Sequence, residues 1–159
     1  MNVAQLMNRN VETCGPDDSL AIAAVKMWDR DVGSLPVIDR EGHVMGAVTD
    51  RDICMTACFR GQPLHEIDVS AAMSNQVHAC RPDDALIEAE EIMRAQQLRR
   101  LPVVDDEGVL CGVITINDLA REAEREAEHQ RHELTVREVT VTLAAIAAPR
   151  AGRELARAP

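Results

Sequence analysis

Two Thr-x-x-Asp pairs carry the most suggestive chemistry in this chain: Thr49 with Asp52, and Thr115 with Asp118. Each follows an apolar run that reads as a strand and opens a segment that reads as a helix. A threonine at such a junction presents a hydroxyl beside the N–H groups of a helix start, whose positive dipole end suits an anion. A carboxylate one turn later offers two acceptor oxygens to a vicinal diol. The same spacing also makes a capping box, in which both side chains satisfy backbone N–H groups and bind nothing. Spacing alone leaves the two readings level.

Arg99 and Arg100 form a local basic spot just before a second apolar strand, where a guanidinium fork suits a phosphate group. As solvated arginines paired with surface acids they would contribute little. Other metal-like or redox-like groupings are weaker. Cys54 and Cys58 are one helical turn apart with His65 downstream, and His129 and His132 form another pair. Neither is a recognised four-ligand spacing, and an i,i+4 cysteine pair is not the Cys-x-x-Cys redox arrangement. No serine, cysteine or threonine sits in a motif for nucleophile activation, so the chain reads as a binding module and not an enzyme, with no cofactor and no metal.

Composition narrows the partners. The 159 residues are 46% hydrophobic and 28% charged, with one Trp, one Phe and no Tyr, so the core must be aliphatic. Without aromatic platforms a single-strand nucleic-acid binder is excluded, and a net charge of -10 argues against duplex binding as well. Residues 1–119 hold 10 basic and 20 acidic side chains, while residues 120–159 hold seven of each. A phosphorylated ligand would therefore need a basic spot within a repulsive body. No run of 18 apolar residues exists to span a membrane, and Met1 to Asn10 lacks a signal-peptide layout. Five cysteines without a scaffold spacing point to reduced thiols and a cytoplasmic setting.

Sliding the chain over itself by 66 residues places 3–53 on 69–119 without a gap, with 19 of 51 positions identical. Cys14 falls on Cys80, Pro16-Asp17-Asp18 on Pro82-Asp83-Asp84, Met27 on Met93, Leu35-Pro36-Val37 on Leu101-Pro102-Val103, and Gly46 on Gly112. Each copy predicts the same elements. A strand over Val11–Cys14 or Val77–Cys80 enters a Pro-Asp-Asp turn whose acids suit a first helical turn. A helix follows with Leu20, Ala23, Ala24 and Met27, or Leu86, Ala89, Ile92 and Met93, on its apolar face. Two more strands and a second helix complete each unit, giving small three-stranded sheets able to bury their apolar faces against each other. The repeats span 1–60 and 69–122, with 61–68 as linker. Beyond them, 123–159 reads as a polar helix and tail: Ala120 to Glu133 is polar on every face with a thin Ala stripe, so it needs a partner or is partly frayed. Thr135 to Leu143 alternates β-branched residues and reads as a strand or docking segment, and Ala147 to Pro159 reads as a disordered end.

The duplicated Leu-Pro-Val-Ile/Val-Asp strand and the heptapeptides Gly46-Ala-Val-Thr49-Asp-Arg-Asp52 and Gly112-Val-Ile-Thr115-Ile-Asn-Asp118 resemble the CBS-domain pair, or Bateman module, over about residues 3–119. The resemblance, to the stand-alone bacterial type, implies a mixed α/β (α+β) fold of two β-α-β-β-α repeats packed pseudo-symmetrically through their small sheets. It implies an adenosine-containing ligand (AMP, ADP, ATP, NAD or S-adenosylmethionine) bound between the repeats as a regulatory ligand that changes the module's shape. Thr49 and Thr115 would approach phosphate, and Asp52 and Asp118 the ribose hydroxyls. Arg99 and Arg100 would make the second site the better nucleotide site. Pseudo-symmetry would lend Val77 to the site of Asp52 and Val11 to that of Asp118. It also implies a homodimer of modules and a separate output protein. The alternative reading is a ligand-free dimerising scaffold whose Thr-x-x-Asp pairs are caps.

Overall fold

Leu20, Ala23 and Met27 recur at helical spacing and are buried on one side of helix α1 (Leu20–Asp29), which Ser19 caps by accepting the Ile22 N–H. The Leu-Pro-Val run then forms β1 (Ser34–Ile38), paired antiparallel with β2 (Val44–Thr49), and β2 passes directly into α2 (Asp50–Arg60). The second copy repeats this as α3 (Leu86–Gln96), β3 (Arg100–Val104), β4 (Leu110–Thr115) and α4 (Ile116–Glu128), and a further helix α5 (Val136–Ala147) follows. The computed structural model describes residues 1–129 and 134–149. The last ten residues of the expected disordered end lie outside them.

Among the described residues the fold is mixed α+β, with two small antiparallel sheets and five α-helices. Each sheet has two strands instead of the three expected. The leading strand shrinks to one parallel bridge per copy, Cys14 to Val37 and Cys80 to Val103. Upstream of the first bridge the Thr13 carbonyl is taken by Lys26 Nζ at 2.7 Å and does not extend the ladder. Both bridging cysteines are buried, and burial pushes their thiols up to about 11 and about 12, so they act as packing groups. The Pro-Asp-Asp acids also sit elsewhere than expected. Asp18 and Asp84 fold back to accept the Gly15 and Arg81 N–H groups, closing the turn ahead of each helix.

The two repeats exchange their leading segments. Val3 and Met7 pack in the second core with Leu86, Met93, Leu101 and Leu119, whereas Ile67 and Val69 pack in the first with Leu20, Leu35 and Val48. The end of the 61–68 linker is therefore core, with Ile67 almost fully buried. Backbone bonds fix both crossings in the same way. The Val3 and Ala4 N–H groups donate to Asp84 and Pro82, and those of Val69 and Ser70 to Asp18 and Pro16. Each crossing then bridges the opposite sheet, Asn8 on Val113 and Ser74 on Ala47. The approach leaves no room for a side chain. A Cβ on Gly46 would stand 1.9 Å from the Ser74 carbonyl oxygen, and one on Gly112 would stand 2.8 Å from that of Asn8.

Of the two readings of Thr135–Leu143, strand or docking segment, helix α5 overturns the strand. Thr135 and Glu138 form a capping box, and the buried residues are Val139, Thr142 and Ile146, at helical and not alternating spacing. It supplies the partner that polar α4 needs, packing on both α3 and α4. The interface buries carboxylates as well as apolar groups. Glu126 accepts the Leu134 N–H just ahead of α5 at 2.7 Å and Thr142 Oγ1 donates to Glu90 Oε1 at 3.0 Å, whereas buried Glu122 pairs within α4 with Arg125 at 3.1 Å.

Two outcomes follow from this packing. Gly46→Ala and Gly112→Ala are expected to cost about 2 kcal/mol or more through overpacking against backbone. Gly15→Ala, whose Cβ meets nothing closer than 4.0 Å, should stay within about 0.5 kcal/mol in urea unfolding followed by circular dichroism. The second concerns pH. Burial raises the Glu90 carboxyl above its ordinary 4.5, with the Thr142 bond acting in the opposite direction. The folded chain thus holds this proton longer than the unfolded chain. Its stabilising share is complete below the ordinary value and is lost as pH rises through the raised one. In denaturant midpoints measured against pH, Glu90→Gln should flatten that decline.

Candidate functional site

Thr115 ends β4 and is also the N-cap of α4, so strand and helix join without a loop. Its hydroxyl donates to Asp118 Oδ2 at 2.6 Å, its N–H reaches the same oxygen at 2.9 Å, and the Asp118 N–H returns to the hydroxyl at 3.2 Å. Thr49 and Asp52 repeat this at the start of α2, at 2.6, 3.1 and 3.1 Å. Both pairs are therefore closed capping boxes. The N–H groups at the helix starts are partly satisfied within the fold: Ile116 donates to the Arg99 carbonyl and Asp50 to that of Gly33.

What distinguishes the second pair is its surroundings. Thr115 and Asp118 line a cleft of about 510 Å³ between the two sheets, together with Val11, Arg100 and Arg121. Its walls come from both repeats, with Pro36 and Ala47 facing Pro102 and Val113. Val11 is thus brought to the Asp118 site from the other copy. Arg100 opens β3 directly opposite Thr115 in the strand register. Burial pulls its guanidinium below the ordinary arginine value, Asp50 opposes that shift and Arg99 adds to it. Among the described residues no carboxylate pairs with Arg100 at ion-pair distance. A half-buried cation without such a partner is where an anion gains most.

The other candidates are placed differently. Arg99 is exposed and does not line the cleft, and its carbonyl serves the start of α4. Thr49, Asp52 and Val77 are also absent from the cleft lining, and Val77 is 42% exposed. Several polar lining residues escaped the sequence reading: Asn8, Asn10, Arg30, Asp31, Asn117 and Arg121. Arg121 had a signal, since it lies one helical turn beyond Asp118 and pairs with its Oδ1. Asn117 adjoins Asp118 on α4, Arg30 and Asp31 follow the end of α1, and Asn8 and Asn10 arrive with the crossing segment. The lining carries three arginines (Arg30, Arg100, Arg121) and three carboxylates (Glu12, Asp31, Asp118), so this spot is neutral within an acidic chain.

A two-repeat cleft, a Thr-x-x-Asp pair at its floor and a duplicated heptapeptide agree with the family comparison. The model of the CBS domain matches residues 3–56 and again 67–125. The chain belongs to the CBS-domain family. The CBS domain-containing protein YhcV of Bacillus subtilis is 34% identical over 119 residues, covering 75% of this chain and 83% of that protein. Hypoxic response protein 1 of Mycobacterium tuberculosis is 28% identical over 116 residues, covering 73% and 80%. The uncharacterized protein MK0525 of Methanopyrus kandleri is 29% identical over 119 residues, a match spanning 75% of this chain and 61% of that one. Among solved structures, CBSX2 in complex with AMP superposes with a TM-score of 0.70 at 27% identity, covering 79% of this chain and 98% of that chain. The CBS pair of MJ0100, in complex with 5-methylthioadenosine and S-adenosyl-L-methionine, shares the fold with a TM-score of 0.71 at 21% identity and the same coverages.

The chain also supplies its own control for the caps. Thr135 and Glu138 make a third box of the same geometry, at 2.8 and 3.2 Å, outside the cleft. Thr49→Ala, Thr115→Ala and Thr135→Ala are each expected to lower stability by about 1 kcal/mol in urea unfolding, the usual worth of an N-cap. Equal losses would show that the caps are alike and that only the cleft sets Thr115 apart.

Proposed function

We propose that this CBS pair is a non-catalytic regulatory module that binds an adenosine-containing ligand (AMP, ADP, ATP, NAD or S-adenosylmethionine) in the cleft between its repeats. The observation that carries this reading is the convergence of Thr115, Asp118, Arg100 and Val11 on one cleft with walls from both copies. Adenine would lie among Val11, Ala47 and Val113, since no aromatic is present in the lining to stack on it. Asp118 already spends Oδ2 on the cap, so a ribose diol would take Oδ1 and displace Arg121, whose side chain is mostly exposed and free to turn. Arg121 and Arg100 would then face the phosphates, where guanidinium groups serve well.

Thr49, Asp52 and Val77 frame a second, weaker site in this proposal. Ser34 stands there where the duplicate has Arg100, and Met55 where it has Arg121. Exposed Arg99 would contribute from the flank. The module is proposed to act in the reducing cytoplasm as a homodimer that reports its ligand to a separate output protein. Among the described residues no helix is long and apolar enough to cross a membrane. The rival reading is a scaffold, and both boxes being closed favours it.

Thermal denaturation with AMP, ADP, ATP, NAD and S-adenosylmethionine decides between the two. A ligand at about 100 times its dissociation constant should add about 2.7 kcal/mol, a shift of several degrees. The shift should be lost in Asp118→Ala and Arg100→Ala and retained in Asp52→Ala. No shift with any of the five would leave the scaffold.

A further inference from the structure

The tip of the β1–β2 hairpin gathers three metal-ligating side chains outside the cleft. Asp39, Glu41 and His43 alternate along the turn, and one ligand atom from each lies within 4.8 Å of the others. The tip is at the opposite end of β2 from Thr49, about 20 Å along the strand. None of the three residues lines the cleft. Their Asp-x-Glu-x-His spacing is also distinct from the cysteine and histidine pairs weighed in the sequence.

Duplication separates what the turn requires from what is extra. In both copies the leading aspartate closes the turn with one oxygen. Asp39 Oδ1 accepts the Glu41 and His43 N–H groups at 3.0 and 2.8 Å, and Asp105 Oδ1 accepts those of Glu107 and Val109 at 3.0 and 2.9 Å. The main chain closes alike, with the Asp39 N–H on the His43 carbonyl and the Asp105 N–H on that of Val109. Gly42 and Gly108 take positive φ in the same place. The second copy therefore builds the same turn with Asp105 and Glu107 but with Val109 in place of the histidine. The turn does not need His43. What His43 adds is an imidazole nitrogen at the second oxygen of Asp39, Nδ1 to Oδ2 at 2.9 Å.

We infer that Asp39 Oδ2, a Glu41 carboxylate oxygen and His43 Nδ1 form a site for one divalent transition-metal ion of the zinc class. Bonds of about 2.0–2.1 Å to nitrogen and oxygen set neighbouring ligands roughly 2.9–3.4 Å apart. The Asp39–His43 pair already has that spacing, and the flexible, exposed Glu41 side chain can close on the ion. The mixed donor set decides the class, because an imidazole among carboxylates suits zinc and its neighbours, whereas calcium and magnesium take oxygen ligands. The two N–H bonds on Oδ1 hold the Asp39 carboxylate in place, as outer-shell partners do for a metal ligand. Charge acts in the same sense. Asp105 of the adjoining turn acts on His43 through space, and the chain as a whole is negative. The two tips meet at the His43–Val109 bridge, where the Val44 N–H donates to Gly108 and the Leu110 N–H to Gly42. An ion here sits at the seam between the repeats. The inference rests on no part of the nucleotide reading.

Titration of the metal-free protein with Co²⁺, followed by calorimetry and visible absorption, tests it. A Cys54→Ser/Cys58→Ser background removes the exposed thiols that would compete. One equivalent should bind with a nitrogen-and-oxygen ligand spectrum and no thiolate charge-transfer band, and Zn²⁺ should displace it. His43→Gln and Glu41→Gln should each weaken binding by more than about tenfold, with an unchanged circular dichroism spectrum. Val109→His, which completes the set in the second turn, should raise the stoichiometry to two. No saturable uptake by the parent protein, binding that survives His43→Gln, or a single equivalent in folded Val109→His would overturn the inference.

Discussion

The architecture depends on a close backbone approach made twice. Where each leading segment crosses to the opposite repeat, a carbonyl oxygen occupies the space in which the side chain of Gly46 or Gly112 would begin. That contact lets Ser74 bridge Ala47 and Asn8 bridge Val113, and it carries Val3 and Val69 into cores that they do not adjoin in sequence. Neither repeat completes its core alone. The cleft is a by-product of the same crossing, because Asn8, Asn10 and Val11 come from the chain that has just passed over β4. The glycine of the Gly-x-x-Thr-x-x-Asp heptapeptide thus belongs to assembly, and in the second copy the threonine and aspartate line the cleft that assembly creates.

Duplication supplied two equal units, and the structure shows them put to different uses. In repeat 2 the α3–α4 groove is closed by α5, with Glu90 and Glu126 bonded across the junction. Buried carboxylates are a costly way to hold a helix, since each must find a donor. Thr142 and the Leu134 N–H supply those donors. The Glu90–Thr142 bond ties α5 to its register on α3, because a shift of one residue would leave Glu90 without that donor. Repeat 1 kept its groove open and its α1 face apolar.

Much of the fold was legible because duplication doubles every signal. Leu20, Ala23 and Met27 and their counterparts announce a helix twice, and Leu-Pro-Val announces a strand twice. What the pattern hides is partnership. The run Val11–Cys14 looks like a strand, but one bridge is all it forms once Thr13 is claimed by Lys26. Thr135–Leu143 looks alternating, yet a single-copy segment offers no second instance to check, and Thr135-x-x-Glu138 was the overlooked sign of a helix start. The candidate site was legible in part. Thr115 and Asp118 stand out as a repeated pair and the family resemblance pointed to Arg100 and Val11, whereas Arg30 and Asp31 at the end of α1 and Asn10 beyond the crossing line the cleft without leaving a periodic trace.

The capping boxes at first favour a purely structural role, since every box is satisfied without a ligand. The energetics point to a subtler arrangement. A cap contributes about 1 kcal/mol and uses one carboxylate oxygen of Asp118, while the other is held by an arginine whose side chain is mostly in solvent. With Arg121 mostly in solvent the pair contributes little, so in the proposed mode a ligand hydroxyl would replace it at small cost while the cap stays in place. The helix start is therefore rigid before any ligand arrives, which limits the ordering entropy that binding must overcome. Since α4 carries the site at its first turn and α5 along its body, a displacement at Asp118 has a stiff, continuous element on which to act. In the proposed binding mode the cap would fix the geometry that the candidate site uses.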